Sequence, residues 1–167
     1  SVDRDDLPDM GAGHWVETIR TIKEVNPGTT VEVLIPDFQG RLDLVDLIVA
    51  AGPEIISHNM ETVRRISPQV RSAAKYDVSL SVLSRIAGQG ATAKTGIMVG
   101  LGETPEEVCC LMDDVLATGT SVLTIGQYLQ PSRKNIQVSE YVAPEQFITY
   151  KSIALEKGFR MVESAPL

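Results

Sequence analysis

The chain has 167 residues, which suits one domain and falls short of the roughly 250 that a complete (β/α)8 barrel needs. Its 15 Lys and Arg stand against 22 Asp and Glu, a formal net charge of −7, which argues against a nucleic-acid or anionic-membrane partner. The two Cys, adjacent at Cys109 and Cys110, exclude a disulfide framework and any four-cysteine zinc or iron–sulfur site inside this sequence, and the two His leave little room for a metal site.

The start, Ser1-Val2-Asp3-Arg4-Asp5-Asp6, is charged and lacks both Met and a signal-peptide apolar core, so a processed or trimmed start is expected. No apolar run approaches the ~20 residues of a membrane-spanning helix. With free-thiol usage this reads as an intracellular protein. Gly11 to Val25 places Trp15, Ile19 and Ile22 at helical spacing, and Asn26-Pro27-Gly28 stops the helix. Thr30 to Ile35 is a predicted strand ended by Pro36. Leu42 to Ala51 is a helix closed by Gly52-Pro53, and Ile55 to Asn59 is a short strand. Glu61 to Ile66 predicts one or two helical turns before Pro68.

Asp77 to Ala87 follows as a helix with Leu80, Leu83 and Ile86 on one side. Lys94 to Val99 is a strand running into Gly100-Leu101-Gly102. Thr104-Pro105-Glu106-Glu107 is a helix start, with Thr as N-cap, Pro in the first position and a carboxylate placed for a capping box. The helix it opens carries Val108, Leu111, Met112 and Val115 on one face. Cys109 and Cys110 sit beside that stripe and read as structural, because adjacent helical positions point about 100° apart and nothing nearby lowers their pKa. Val122 to Ile125 is a strand, a long polar loop runs through Ser139, Pro144 to Lys157 is a helix, and Arg160 to Ser164 is a final strand.

Repeated βα units imply parallel strands with right-handed crossovers, and such folds carry their chemistry on loops after the strands' C-terminal ends. Four of those loops stand out. Pro36-Asp37-Phe38-Gln39-Gly40 is the first. His58-Asn59-Met60-Glu61 is either a hydroxyl-binding cluster or a helix cap. Gly96 through Glu103 puts glycines where a backbone either approaches a ligand closely or makes a tight turn. Gln127 through Lys134 offers amides, a ring and two cations, suited to a polar or carboxylated ligand or to a solvated loop.

Together, Ser1 to Leu7, Val31 to Gly40, His58-Asn59-Met60-Glu61-Thr62-Val63, Met98-Val99-Gly100-Leu101-Gly102-Glu103-Thr104 and Leu123 to Lys134 resemble the lipoyl synthase family of radical S-adenosylmethionine enzymes, collinearly over essentially the whole chain. The resemblance implies insertion of two sulfurs, at C6 and C8, into an octanoyl chain carried on a lysine of a lipoyl-accepting carrier protein. It implies S-adenosylmethionine as cofactor, cleaved at one 4Fe–4S cluster to a hydrogen-abstracting 5′-deoxyadenosyl radical, and a second 4Fe–4S cluster consumed as sulfur donor. An electron donor such as ferredoxin or flavodoxin is implied, with no nucleic-acid or membrane partner, and a cytoplasmic location (mitochondrial in a eukaryote). The implied fold class is α/β, a truncated partial (β/α) barrel of the radical S-adenosylmethionine type holding strands 3–6 and flanking helices, with residues 1–167 as the central and C-terminal part of that domain.

Carried over residue by residue, Gly96 through Glu103 matches the pattern G-x-I-x-G-x-x-E with Met98 in the Ile place, so Gly100, Gly102 and Glu103 would support the adenine side of the cofactor. Asn59 and Glu61 match the strand-end motif near its ribose and methionine portions, and Arg71 matches an arginine near the methionine carboxylate. Ser1 and Asp3 follow the second barrel strand, where the superfamily contacts the methionine amino group. Tyr128 and Gln130 would lie close to the adenine, and Arg133 and Lys134 would hold the substrate peptide or the radical-site geometry.

The departures are as informative. The C-x-x-x-C-x-x-C motif, the three-cysteine auxiliary motif and the R-S-S-Y segment of the family are all absent, and the cysteine-bearing first strand should precede Ser1. Met10 replaces a Gly of the family's D-G-G-A, and Ser164-Ala165-Pro166-Leu167 stands for S-G-P-L. A cluster-less paralogue that binds octanoylated protein is the alternative, and a barrel aldolase or isomerase using Lys94 or Glu103 as base is a further one, although Lys94 sits near a strand start. Missing strands would leave an open edge beside Thr30–Ile35.

This polypeptide alone is expected to bind no cluster and perform no turnover. Anaerobic reconstitution with iron and sulfide is expected to leave no 4Fe–4S absorption, and a cluster spectrum would overturn that expectation.

Overall fold

Apolar side chains at alternate strand positions and at helical spacing between them produce one parallel sheet with helices on one face. The computed structural model describes residues 4–71 and 75–167. In chain order the elements are α1 (Ala12–Val25), β1 (Glu32–Leu34), a 3-10 turn (Phe38–Gly40), α2 (Leu42–Ala51), β2 (Ile55–Ser57), α3 (Ser67–Val70), α4 (Tyr76–Gly88), β3 (Thr92–Val99), α5 (Pro105–Ala117), β4 (Val122–Gln127), α6 (Pro144–Lys157) and β5 (Met161–Ser164). The five strands lie in the order β1-β2-β3-β4-β5, all parallel. A chain that always steps the same way, with right-handed crossovers, lays every helix on one side of the sheet. This is the winding of a (β/α) barrel rather than of a doubly wound sheet, whose order reverses.

Val33, Ile56, Ala93, Ile97, Val99, Leu123, Ile125 and Val162 face the helices and are buried. The alternate residues face the other way, and Leu34 (38% exposed) and Met161 (56%) show that no layer among the described residues covers that face at its edges. The core forms two clusters. One gathers α1, β1 and α2, and the other gathers α5, α6, β4 and β5. They meet on α4, which gives Val82 and Ile86 to the first and Tyr76 and Leu83 to the second.

One expectation fails. The helical turn predicted over Glu61–Ile66 comes later, as α3, with Pro68 in its first turn. Proline lacks the N–H that a helix start leaves unpaired, so it begins the turn instead of stopping it. Glu61 joins the sheet through a bridge to Ile97. At the start of α1, the Asp9 carboxylate accepts from the Gly11 and Gly13 N–H groups at 3.1 and 3.0 Å. Met10 takes φ 49°, a left-handed conformation that glycine holds without strain, at the position where the family pattern has Gly. No helix among the described residues is long and apolar enough to cross a membrane.

The capping box of α5 forms as its sequence predicts. Thr104 Oγ1 accepts from the Glu107 N–H at 3.3 Å and the Glu107 carboxylate accepts from the Thr104 N–H at 2.9 Å. Glu107 also takes two bonds from Arg65, at 2.7 and 2.9 Å. The Arg65 guanidinium, and then the Thr104 N–H, hold the Glu107 carboxyl at about 2. Thr104→Ala is expected to cost about 1 kcal/mol of stability, read as a lower urea midpoint, while the Arg65–Glu107 pair persists.

Candidate functional site

Parallel pairing runs in register from Ile55↔Thr92 to Ser57↔Lys94, then slips. The next bridge is Glu61↔Ile97, so the β2 side spans four residues where β3 spans three. The extra residue makes a bulge over His58, Asn59 and Met60, a device that re-aims side chains at a strand end. Thr95, fully buried on β3, stitches it: its hydroxyl accepts from the Met60 N–H at 3.1 Å and donates to the His58 carbonyl at 2.8 Å. Glu61 closes it at φ 65°, donating its N–H to the Gly96 carbonyl at 3.1 Å and accepting from the Met98 N–H at 2.7 Å.

The bulge brings Asn59 and Glu61 to the open face of the sheet, where they line a cleft of about 450 Å³ with Gly96, Met98, Thr124, Gly126 and Glu163. Those partners follow from register, since Gly96↔Thr124, Met98↔Gly126 and Thr124↔Glu163 are paired neighbours. A Cβ on Gly96 would meet Thr124 Oγ1 at 2.7 Å and Asn59 Oδ1 at 2.9 Å, whereas one on Gly126 would meet nothing within 4 Å. The floor thus has a tight polar point at Gly96 and free space at Gly126. Two carboxylates, an amide, a hydroxyl and a thioether around a glycine floor can hydrogen-bond sugar hydroxyls or an ammonium and pack against a flat ring. Thr124, Gly126 and Glu163 escaped the sequence reading; their signal was the period-two alternation of β4 and β5, legible only once the register is known.

Behind the bulge, His58 is buried. Its Nδ1 lies 3.0 Å from the Ile35 carbonyl, which only accepts, so Nδ1 carries the proton and Nε2 accepts from the Ser79 hydroxyl at 2.9 Å. Ser79, on α4 and also fully buried, accepts from Arg71 Nη1 at 2.9 Å. The same Nη1 donates to the Asn59 carbonyl at 3.1 Å. Arg71 therefore touches the bulge through its backbone and is not part of the cleft lining. Nearby, the buried Thr62 Oγ1 has no partner among the described residues.

The remaining sequence-predicted residues bind within the rim loops. The Glu103 carboxylate accepts from the Gly100 and Leu101 N–H groups at 2.6 and 2.9 Å, closing its own turn. Gly100, at φ 96°, packs so closely that a Cβ would run into Gln127 Nε2 and the Glu140 carbonyl. The Gly102 carbonyl accepts from Arg65 Nη2 at 2.8 Å. Tyr128 is buried and its hydroxyl donates to the Ile136 carbonyl at 2.8 Å, while the Gln130 amide donates to the Asn135 carbonyl at 2.8 Å. Arg133 and Lys134 are exposed on the same loop. Ser1 and Asp3 lie outside the described residues.

Lys94 also faces the open side, but its ammonium is bound to Glu32 Oε1 at 2.7 Å, as is the Ser57 hydroxyl at 2.7 Å. Burial raises the Glu32 carboxyl, yet these two bonds outweigh it and hold the group below the usual range. Cys109 is half-buried on α5, where burial raises its thiol, and Cys110 is exposed. No group of three or more His, Cys, Asp or Glu among the described residues converges on a point that would hold a metal. The residues present do not fit an iron–sulfur cluster.

No family model matches the chain. Curated relatives do. A lipoyl synthase from Parabacteroides distasonis is 81% identical over 167 residues, covering 100% of this chain and 59% of the relative. One from Bacteroides thetaiotaomicron is 70% identical with the same coverage of both. The chain thus spans 59% of the length of these curated relatives. A solved domain of pyruvate-formate lyase-activating enzyme from Bacteroides vulgatus superposes with a TM-score of 0.69 at 11% identity, covering 94% of each chain. That likeness is one of fold, a partial (β/α) barrel.

The buried imidazole makes the site sensitive to acid. Desolvation, opposed by the bond to Ile35 and reinforced by Arg71, pushes His58 down to about 4 from 6.5. The folded protein therefore refuses a proton that the unfolded chain accepts as pH falls below about 6.5, and stability is lost down to about pH 4, by roughly 3 kcal/mol. His58→Gln is expected to flatten the urea midpoint between these limits relative to the unsubstituted protein; parallel curves would overturn the assignment.

Proposed function

The chain belongs to the lipoyl synthase family, and on that premise we propose that the whole protein inserts two sulfurs into an octanoyl chain carried on a protein lysine, with the cleft at Asn59 and Glu61 as the seat of S-adenosylmethionine. The observation that carries this reading is the 81% identity over all 167 residues, the span in which the cleft residues lie. The donor set supports the cofactor. The Glu61 carboxylate and the Asn59 amide suit ribose hydroxyls or the methionine ammonium, and Met98 and the bare surface at Gly126 suit the flat adenine. Bound S-adenosylmethionine supplies, on one-electron cleavage, the agent that removes hydrogen from the octanoyl chain.

This chain's own residues then bind and orient. Glu103 closes the Gly100 turn, and Gln127 accepts from the Val142 N–H at 2.9 Å while donating to the Glu140 carbonyl at 3.0 Å. In this reading Gly100, Gly102, Glu103, Tyr128 and Gln130 shape the rim that encloses the adenine, and Arg71 braces the bulge beside the methionine carboxylate. Arg133 and Lys134, exposed cations on a chain of net charge −7, receive the octanoylated carrier protein. Ser1 and Asp3 remain proposed contacts of the methionine amino group. The two 4Fe–4S clusters take their ligands from residues other than these, and an electron donor such as ferredoxin or flavodoxin serves the whole protein.

The complete encoded protein, reconstituted anaerobically with iron, sulfide, a low-potential reductant and S-adenosylmethionine, is expected to release 5′-deoxyadenosine. It should also replace two hydrogens of an octanoylated carrier by two sulfurs, read by mass spectrometry. Formation of neither product would overturn the reading. Gly126→Val is expected to keep or raise the urea midpoint, because its Cβ meets open space, and to weaken S-adenosylmethionine by about tenfold or more in calorimetry.

A further inference from the structure

Ser79 belongs to no motif in the sequence, yet its fully buried hydroxyl lies between the His58 ring and the Arg71 guanidinium. Each bond in the series uses one defined atom. The Ile35 carbonyl takes the Nδ1–H of His58, Nε2 of that ring takes the Ser79 hydroxyl proton, the Ser79 oxygen takes an N–H of Arg71, and Arg71 Nη1 reaches the Asn59 carbonyl. The direction of the series is fixed at its start, because a carbonyl only accepts.

The Asn59 carbonyl lies in the bulge, where the regular ladder is interrupted, and Arg71 Nη1 is its donor. Rotation of that peptide would swing the Asn59 amide away from Gly96 and shift the entry to Glu61, whose positive φ depends on the closing bonds to Gly96 and Met98. We propose that Ser79, oriented by His58, is a positioning residue for the ligand cleft: it aims Arg71 at the Asn59 carbonyl and so sets both Asn59 and Glu61. Arg71 is a long side chain, and without the Ser79 acceptor nothing else among the described residues orients its Nη1 apart from the carbonyl it must hold. The inference rests on S-adenosylmethionine as the occupant of the cleft.

The test is a double-mutant cycle in the complete reconstituted enzyme, with affinity for S-adenosylmethionine read by calorimetry and folding checked by circular dichroism. Ser79→Ala is expected to weaken binding by about tenfold, Arg71→Gln by at least as much, and the double variant no more than Arg71→Gln alone. Losses that multiply, or Ser79→Ala within about twofold of the unsubstituted enzyme, would overturn the proposal, since a merely structural serine acts independently of Arg71. Should Ser79→Ala fail to fold, Ser79→Cys keeps the buried volume while replacing a strong hydrogen-bonding group by a weak one. The same loss supports the proposal and full affinity overturns it. If the unsubstituted enzyme binds no S-adenosylmethionine, the proposed function falls, and the role of Ser79 with it.

Discussion

A neutral imidazole with both ring nitrogens engaged fastens the short edge of this structure. β1 and β2 pair over only three residues, and β1 lies at the edge of the sheet. So short a ladder needs fastening at its end. Ile35 supplies it twice, donating its N–H to the Ser57 carbonyl at 2.9 Å and accepting from His58 at 3.0 Å. The other nitrogen reaches α4, the helix on which the two apolar clusters meet. One side chain thus ties the edge of the sheet to the middle of the core. Because it is buried neutral, protonation at Nε2 would reverse the bond to Ser79 and place an uncompensated charge in the core.

The bulge that follows shows why function and strain coincide here. One extra residue on β2 breaks the ladder, and Thr95, Arg71, Gly96 and Met98 re-pair the freed backbone groups. The result exposes two polar side chains on the face that carries no helices. Strain of this kind persists only where surroundings over-determine it, and several independent bonds do so around Glu61.

Much of this was legible in the sequence. The five strands, the capping box at Thr104 and Glu107, and the pairing of Asn59 with Glu61 at a strand end all follow from local patterns. What escaped depends on distant partners. The close neighbours of the glycines at 100 and 102 are Gln127 at the end of β4 and Ser139 and Glu140 in the loop after it, a packing that no local spacing reveals. Ser79 reads as an ordinary polar residue on an amphipathic helix, since nothing in its own segment announces that His58 and Arg71 converge on it. Pro68 misled for a different reason: the same missing N–H that ends a helix also suits its first turn.

The strand order has a consequence for how the molecule comes into being. Every ladder joins strands that are consecutive in the chain, so no strand waits for a partner made much later. Each βα unit emerging during synthesis finds the strand it pairs with already made, because that partner is always the strand immediately before it. The two apolar clusters follow the same gradient, the first drawing on residues up to Ala93 and the second completed only by Val162. Growth from the N-terminal side, one unit at a time, is written into the topology, and α4 is the point at which the finished first half hands over to the second.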